Sequence, residues 1–210
     1  MVDLTPPEVI VFTPLNLSVL DVDRINVTWS GWDDLNITCF ILCYDNVSIV
    51  LTNTSYILVL DEGQHTIRIK AIDVAGNVKI VTIILWVDTT PPIIIITSPE
   101  DGAYVNSTTV TITWVVDERN PDSIELRVNY GEWIDVSSGN QYELSLDDGA
   151  YTVEVRITDK AGYVAKDKVS FIVDTTPPTI TVIEPENNSV IDQGEITIKI
   201  SVTDNFEIDK

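Results

Sequence analysis

Histidine and methionine each occur once in this 210-residue chain, and cysteine occurs twice. So few imidazoles and thiols exclude His-rich zinc sites and most His-based acid–base catalysis. Basic residues are also scarce. Twelve Lys and Arg stand against 33 Asp and Glu, for a formal charge of −21. A nucleic-acid partner needs an electropositive footprint, and so does an anionic membrane surface; neither is expected here. No apolar run approaches the roughly 18 residues of a membrane span, so no membrane insertion is expected. The strongest run, 80–87, is interrupted by Thr82. The first seven residues, Met1 to Pro7, show neither a basic region nor an apolar signal core. Phosphate loops of the Gly-Lys-Ser/Thr type, Gly-x-Ser-x-Gly elbows and His-Glu-x-x-His pairs are missing. Carboxylates are numerous enough for a glycosidase pair, but most fall in turns or on outward strand positions. No enzyme is expected and no catalytic residue is nominated.

What is present is β structure in a repeat. With 44% hydrophobic residues and a mean hydropathy of +0.16, the chain is too apolar to be disordered despite its charge. Asp88-Thr89-Thr90-Pro91-Pro92 recurs as Asp174-Thr175-Thr176-Pro177-Pro178, and a weaker copy stands at Leu4-Thr5-Pro6-Pro7. Trp29 maps to Trp114, Gly63 to Gly149, Asp73-Val74-Ala75-Gly76 to Asp159-Lys160-Ala161-Gly162, and Pro14 to Pro99 and Pro185. Landmarks in one register over two periods define a repeat protein. The repeats span 1–88 and 89–174, and a third, 175–210, is truncated. It supplies strands near 179–183 and 194–203, with Ile196, Ile198, Ile200 and Val202 expected to stay partly uncovered.

Within a repeat the alternation has period two. Val110, Ile112, Trp114 and Val116 share one face of their strand, and Tyr151 to Thr158 alternates as cleanly. Seven strands are expected in repeat two, near 93–97, 108–116, 123–130, 132–136, 140–146, 150–158 and 163–173. Seven short strands with frequent turn signals predict an all-β, two-sheet sandwich. Leu146-x-x-Gly149-x-Tyr151 has the spacing of a tyrosine corner, and repeat one places His65 where that tyrosine stands. His65 is therefore read as a corner residue.

These features resemble the tandem immunoglobulin-like repeats of prokaryotic surface proteins, close in shape to fibronectin type III and cadherin-like modules. The residues that carry the resemblance are Val-Asp-Thr-Thr-Pro-Pro at 87–92 and 173–178, Ser98-Pro99-Glu100-Asp101-Gly102, and Asp148-Gly149-x-Tyr151-x-Val153-x-Val155 leading to Asp159-x-Ala161-Gly162. The resemblance implies a non-catalytic spacer or stalk of a secreted or cell-surface protein, whose partners are the neighbouring repeats. The other readings are a module that binds a protein or glycan, and an accessory region of an extracellular enzyme. As an extracellular part without a leader of its own, the sequence is expected to be a fragment of a longer protein.

The candidate sites are of four kinds. Cys39 and Cys43 lie four apart on one strand, about 13 Å between Cα atoms, too far to bridge; they are expected to be buried thiols. Seven sequons, at Asn16, Asn26, Asn36, Asn46, Asn53, Asn106 and Asn187, stand where composition gives about two by chance, and they favour an exported protein. Asn26 and Asn36 fall on outward faces. An apolar patch of Phe40, Leu42, Ile80, Ile84 and Trp86 is expected on the outside of repeat one, with a register slip at a bulge as the competing reading. Trp29 and Trp114 are core, whereas Trp133 beside a hairpin is expected to be accessible and able to stack on a sugar. Finally, around linker Asp88, Asp61 and Glu62 of repeat one and Asp117, Glu118, Asp122 and Asp159 of repeat two are expected to gather at the repeat junction, with Asp147, Asp148, Asp174 and Asp204 at the second junction. Calcium is the cation such oxygen donors take, and the resemblance to cadherin-like repeats points to it too; solvated turn carboxylates are the competing reading.

Overall fold

A computed structural model describes residues 3–192 and 194–206. The chain divides into two compact units, one of residues 1–91 with the turn 159–163, the other of 92–158 and 164–210. The described residues form strands and turns without a helix.

Unit 1 contains β1 (Glu8–Thr13), β2 (Ser18–Leu20), β3 (Arg24–Trp32), β4 (Ile37–Tyr44), β5 (Val47–Leu51), β6 (Ser55–Val59), β7 (Gly63–Asp73) and β8 (Val78–Val87). They make two sheets, ordered β1-β3-β6 and β2-β8-β7-β4-β5. Alternate residues of both sheets turn inward: Val27 and Trp29 from β3, Ile67, Ile69 and Ala71 from β7, Ile83, Leu85 and Val87 from β8. Trp29 meets Phe40 edge to face at 5.8 Å, the geometry that aromatic quadrupoles prefer.

The second sandwich repeats the plan. Its strands are β9 (Ile93–Ser98), β10 (Tyr104–Val105), β11 (Thr109–Asp117), β12 (Pro121–Val128), β13 (Ile134–Asp135), β14 (Gln141–Ser145), β15 (Gly149–Asp159) and β16 (Val164–Val173). The sheets run β9-β11-β14 and β10-β16-β15-β12-β13. All seven expected strands are there, joined by the two-residue β10, which pairs parallel to β16 and is too short to leave a periodic signal. Beyond them β17 (Thr179–Glu184) pairs with β18 (Lys199–Thr203). Ile180 faces Val202 and Val182 faces Ile200, and Ile196, Ile198 and Ile200 are exposed. Gln193 and 207–210, which belong to the third segment as read from sequence, lie outside the described residues.

The corners differ in residue and agree in bonding. The Tyr151 hydroxyl donates to the Asp147 carbonyl at 3.0 Å, and His65 Nε2–H donates to the Asp61 carbonyl at 2.7 Å. An imidazole thus satisfies the same backbone oxygen that the phenol does.

Strand β4 corrects the sequence reading. Phe40 and Leu42 are 6% and 0% exposed and belong to the core, not to an outer patch. The outer face of β4 carries Cys39, Ile41 and Cys43 instead, with both thiols free and half-buried. The pairing of β4 with β7 shifts between Ile37 and Cys39, and a one-residue slip exchanges the two faces of a strand. Ile80, Ile84 and Trp86 do face outward, with Ile80 53% exposed and the other two half-buried. Phe40→Ala should therefore cost about 3–5 kcal/mol and Leu42→Ala about 2–5 kcal/mol. Ile80→Ser should stay within about 0.5 kcal/mol, all three measured by urea unfolding of the full chain.

Candidate functional site

The sequons all meet the first requirement of an acceptor: Asn16, Asn26, Asn36, Asn46, Asn53, Asn106 and Asn187 are exposed. Two are partly engaged. Asn16 Oδ1 accepts from Ile84 N, and Asn53 Nδ2 donates to the Ser55 carbonyl.

Trp133 does not present an open ring. It is half-buried over the outer face of the β12–β15 pair. The guanidinium carbons of Arg156 and Arg127 lie 4.1 and 4.5 Å from its ring centroid. Both arginines are also paired across the strands, Arg156 with Glu125 and Arg127 with Glu154. The indole caps an ion-pair ladder, so the stacking capacity read from its hairpin position is already taken up by cations.

The expected carboxylates play several parts. Asp117 and Asp122 are exposed, Glu118 is half-buried, and Asp88 and Asp159 are buried. Asp159 Oδ1 accepts from the amides of Gly162 and Tyr163 and so shapes its own turn. Asp61 supplies the carbonyl of the His65 corner, Asp174 Oδ1 accepts from Thr176 N, and Asp204 Oδ1 from Phe206 N.

A further carboxylate set comes together within unit 1. Asp3, Asp33 and Asp73 each offer a carboxylate oxygen within 4.8 Å of the others. Asp73 is largely engaged: its Oδ1 accepts from Ala75 N and Asn77 N, its Oδ2 from the Asn77 amide. Those bonds outweigh the desolvation that opposes them and hold its pKa below the ordinary carboxylate value. Three carboxylates are the donor type that calcium takes, but fewer than its 6–8 ligands. The sequence signal for this set was the repeat itself, since Asp3 and Asp33 stand 85 residues before Asp88 and Glu118, and Asp73 stands 86 before Asp159.

Glu62 and Asp148, both expected to gather as cation ligands, are instead occupied with the linkers. Glu62 Oε2 accepts from the amide and hydroxyl of Thr89 at 3.0 and 2.8 Å. In the second unit Asp148 Oδ1 accepts from the amide and hydroxyl of Thr175 at 2.9 and 2.7 Å, and its Oδ2 from the Thr176 hydroxyl and the Asn205 amide. In each sandwich, then, a carboxylate at the corner before the seventh strand ties down the Thr-Thr-Pro-Pro segment that follows the eighth.

One surface groove was missed by sequence reasoning. It encloses about 380 Å³ and is lined by Gly31, Trp32, Asp33, Asn36, Ile37, Thr38, Cys39, Phe40 and Thr52. Trp32 ends β3 and is 53% exposed. Alternation from the buried Val27 and Trp29 places Trp32, three residues on, on the opposite face of β3, and that was the available signal.

With this geometry in place, the comparisons with known proteins bear on the fold. Residues 92–175 match the family model described as glucodextranase, domain B. Murine CEACAM1b superimposes with a TM-score of 0.52 at 13% identity, over 79% of this chain and all of that one. A Dscam structure aligns at 10% identity and TM-score 0.47, over 80% of this chain and 46% of that one. Fibronectin(III)-like modules of Clostridium thermocellum CbhA align at 17% identity and TM-score 0.45, over 79% and 94% of the two chains. No curated protein matches the sequence. The chain is a tandem of immunoglobulin-like β-sandwiches.

The linker clamp has a defined pH dependence. Hydrogen bonds from the Thr175 hydroxyl, then the Thr176 hydroxyl and the Thr175 amide, hold the Asp148 carboxyl below its ordinary value of 3.8. A lowered folded pKa stabilises above the ordinary value and is lost as pH falls through the folded one. The Thr175 amide should accordingly keep a high hydrogen-exchange protection factor at neutral pH and lose it in strong acid. Asp148→Ala should remove that protection at every pH.

Proposed function

We propose that the chain is a structural spacer segment of a secreted or cell-surface protein, built to hold its modules apart in an ordered array. The observation that supports this best is the clamp of Glu62 on Thr89 and of Asp148 on Thr175 and Thr176. A linker between independent modules needs no such anchor. Here the first linker residue is bonded twice to the preceding corner, and the prolines that follow fix φ and bias the residues before them to extended geometry. Both halves of the device recur one repeat apart, with Asp148 replacing Glu62. An extracellular setting is supported by seven exposed sequons and by the immunoglobulin-like fold. The accessory-region reading draws support from the match of 92–175 to a glucodextranase domain.

The test is linker order in the full chain. Backbone amide order parameters at Thr89, Thr90, Thr175 and Thr176 should be near the rigid value of about 0.85 rather than below about 0.6. Glu62→Ala should lower those of 89–90 alone and Asp148→Ala those of 175–176 alone. Flexible values at all four positions in the unaltered chain would defeat the spacer reading.

A further inference from the structure

The groove at the end of β3 has the composition of a carbohydrate site, and we propose that it binds a neutral oligosaccharide, with the Trp32 indole stacked on a pyranose ring. A pyranose is amphipathic: its axial C–H groups form an apolar face and its hydroxyls a polar rim. The matching protein surface is a flat aromatic beside a few hydrogen-bonding groups, in a cleft of about 300–1,000 Å³. Trp32 supplies the flat surface. Among the described residues no ring or cation stacks on it, in contrast to Trp29, which packs on Phe40, and Trp133, which packs on Arg127 and Arg156.

The polar rim is also present and unengaged. Asp33 Oδ1 accepts from Leu35 N, but Asp33 Oδ2, the Asn36 side-chain amide, the Thr52 hydroxyl and Trp32 Nε1–H have no hydrogen-bond partner among the described residues. The Asp33 oxygen accepts and the Trp32 N–H donates, while the Asn36 amide and the Thr52 hydroxyl can do either toward a sugar hydroxyl. Charge narrows the ligand further. Asp33, with Asp3 and Asp73 close by, makes the groove repel carboxylated or sulfated sugars, and the whole chain carries −21.

The floor is built for this unit alone. A Cβ at Gly31 would stand 2.8 Å from Phe40 Cε1, so the missing side chain is what lets the Phe40 ring lie against the backbone of β3. In the second sandwich Val116, Asp117 and Glu118 occupy the positions of Gly31, Trp32 and Asp33, as the equivalent pairs Glu8–Trp32 and Ile93–Asp117 show. That unit keeps the fold without the groove chemistry, so the groove is not a requirement of the sandwich.

The experiment uses the full chain made in a bacterial host without N-glycosylation, so that Asn36 is unmodified. Soluble oligosaccharides of β-1,4-, β-1,3- and α-1,4-linked glucose, of xylose and of mannose are titrated, and the five tryptophan indole N–H signals are followed by NMR. At least one neutral oligosaccharide should shift the Trp32 signal and leave those of Trp29, Trp114 and Trp133 in place. Trp32→Ala should weaken that binding at least tenfold with an unchanged melting temperature, and Trp32→Phe should restore part of it. The proposal is overturned if no oligosaccharide in the series moves the Trp32 signal, if Trp32→Ala binds as well as the unaltered chain, or if only oligogalacturonate, added as an anionic control, binds. It is independent of the spacer reading, since linker order and sugar binding are measured at different residues.

Discussion

Phe40 occupies the space that a side chain at position 31 would need, and much of unit 1 follows from that contact. With its ring against Gly31 and its edge toward Trp29, Phe40 closes the core between β3 and β4. A close-packed interior tolerates little change in volume, so a ring of this size fixes which face of β4 is inward. Leu42 must then follow it inward, and Cys39, Ile41 and Cys43 must turn out. The bulge between Ile37 and Cys39 is the backbone's way of meeting that demand, because the loop before β4 delivers the strand one residue out of phase. The same ring, seen from outside, is part of the floor of the Trp32 groove. One packing requirement therefore sets the strand phase, the outward placement of the half-buried thiols and the groove together.

The second sandwich shows what happens when the requirement is absent. Val116 and Ile124 stand where Gly31 and Phe40 stand, and Trp114 is still fully buried. Ile124 is buried in the core there, while Val116 lies exposed at the strand end. The outer face of the β12–β15 pair is then free to carry the Glu125–Arg156 and Glu154–Arg127 pairs, with Trp133 laid over them. Partly buried pairs of this kind add little net stability on their own, but together with the indole they occupy that sheet face with satisfied polar groups. Unit 1 has Ile41 and Ile80 near the matching places, aligned across β7 with Lys70 between them. The two modules share a core plan and differ on their outer faces.

The sequence disclosed the architecture because the architecture depends on periodicity. Two-residue alternation, the recurrence of Trp29 as Trp114, and the Leu-x-x-Gly-x-Tyr corner are each local patterns with a direct structural cause. The corner even survived the change from Tyr151 to His65, since what is required there is a ring with a donor at its tip. The faces of β4 were not legible, because Ile37 to Cys43 is apolar on both sides and alternation then carries no phase. Trp133 was misjudged for a related reason: its neighbours Arg127 and Arg156 lie on other strands, and cross-strand partners cannot be seen in a run of sequence. Trp32 was legible as an outward residue, three positions from the inward Trp29, but alternation says nothing of the groove that Ile37 and Phe40 of the facing sheet build beside it.

Acidity was read from composition as a single property, and the structure divides it by position. Glu62 and Asp148 neutralise nothing; they accept hydrogen bonds from threonines a whole strand pair away in sequence. Asp73 and Asp159 each close their own turn through backbone amides. Carboxylates suit such places because an ionised acceptor binds N–H and O–H donors about twice as strongly as a neutral one. A strongly negative charge is then partly a by-product of pinning, and it has a further effect: like-charged chains resist association.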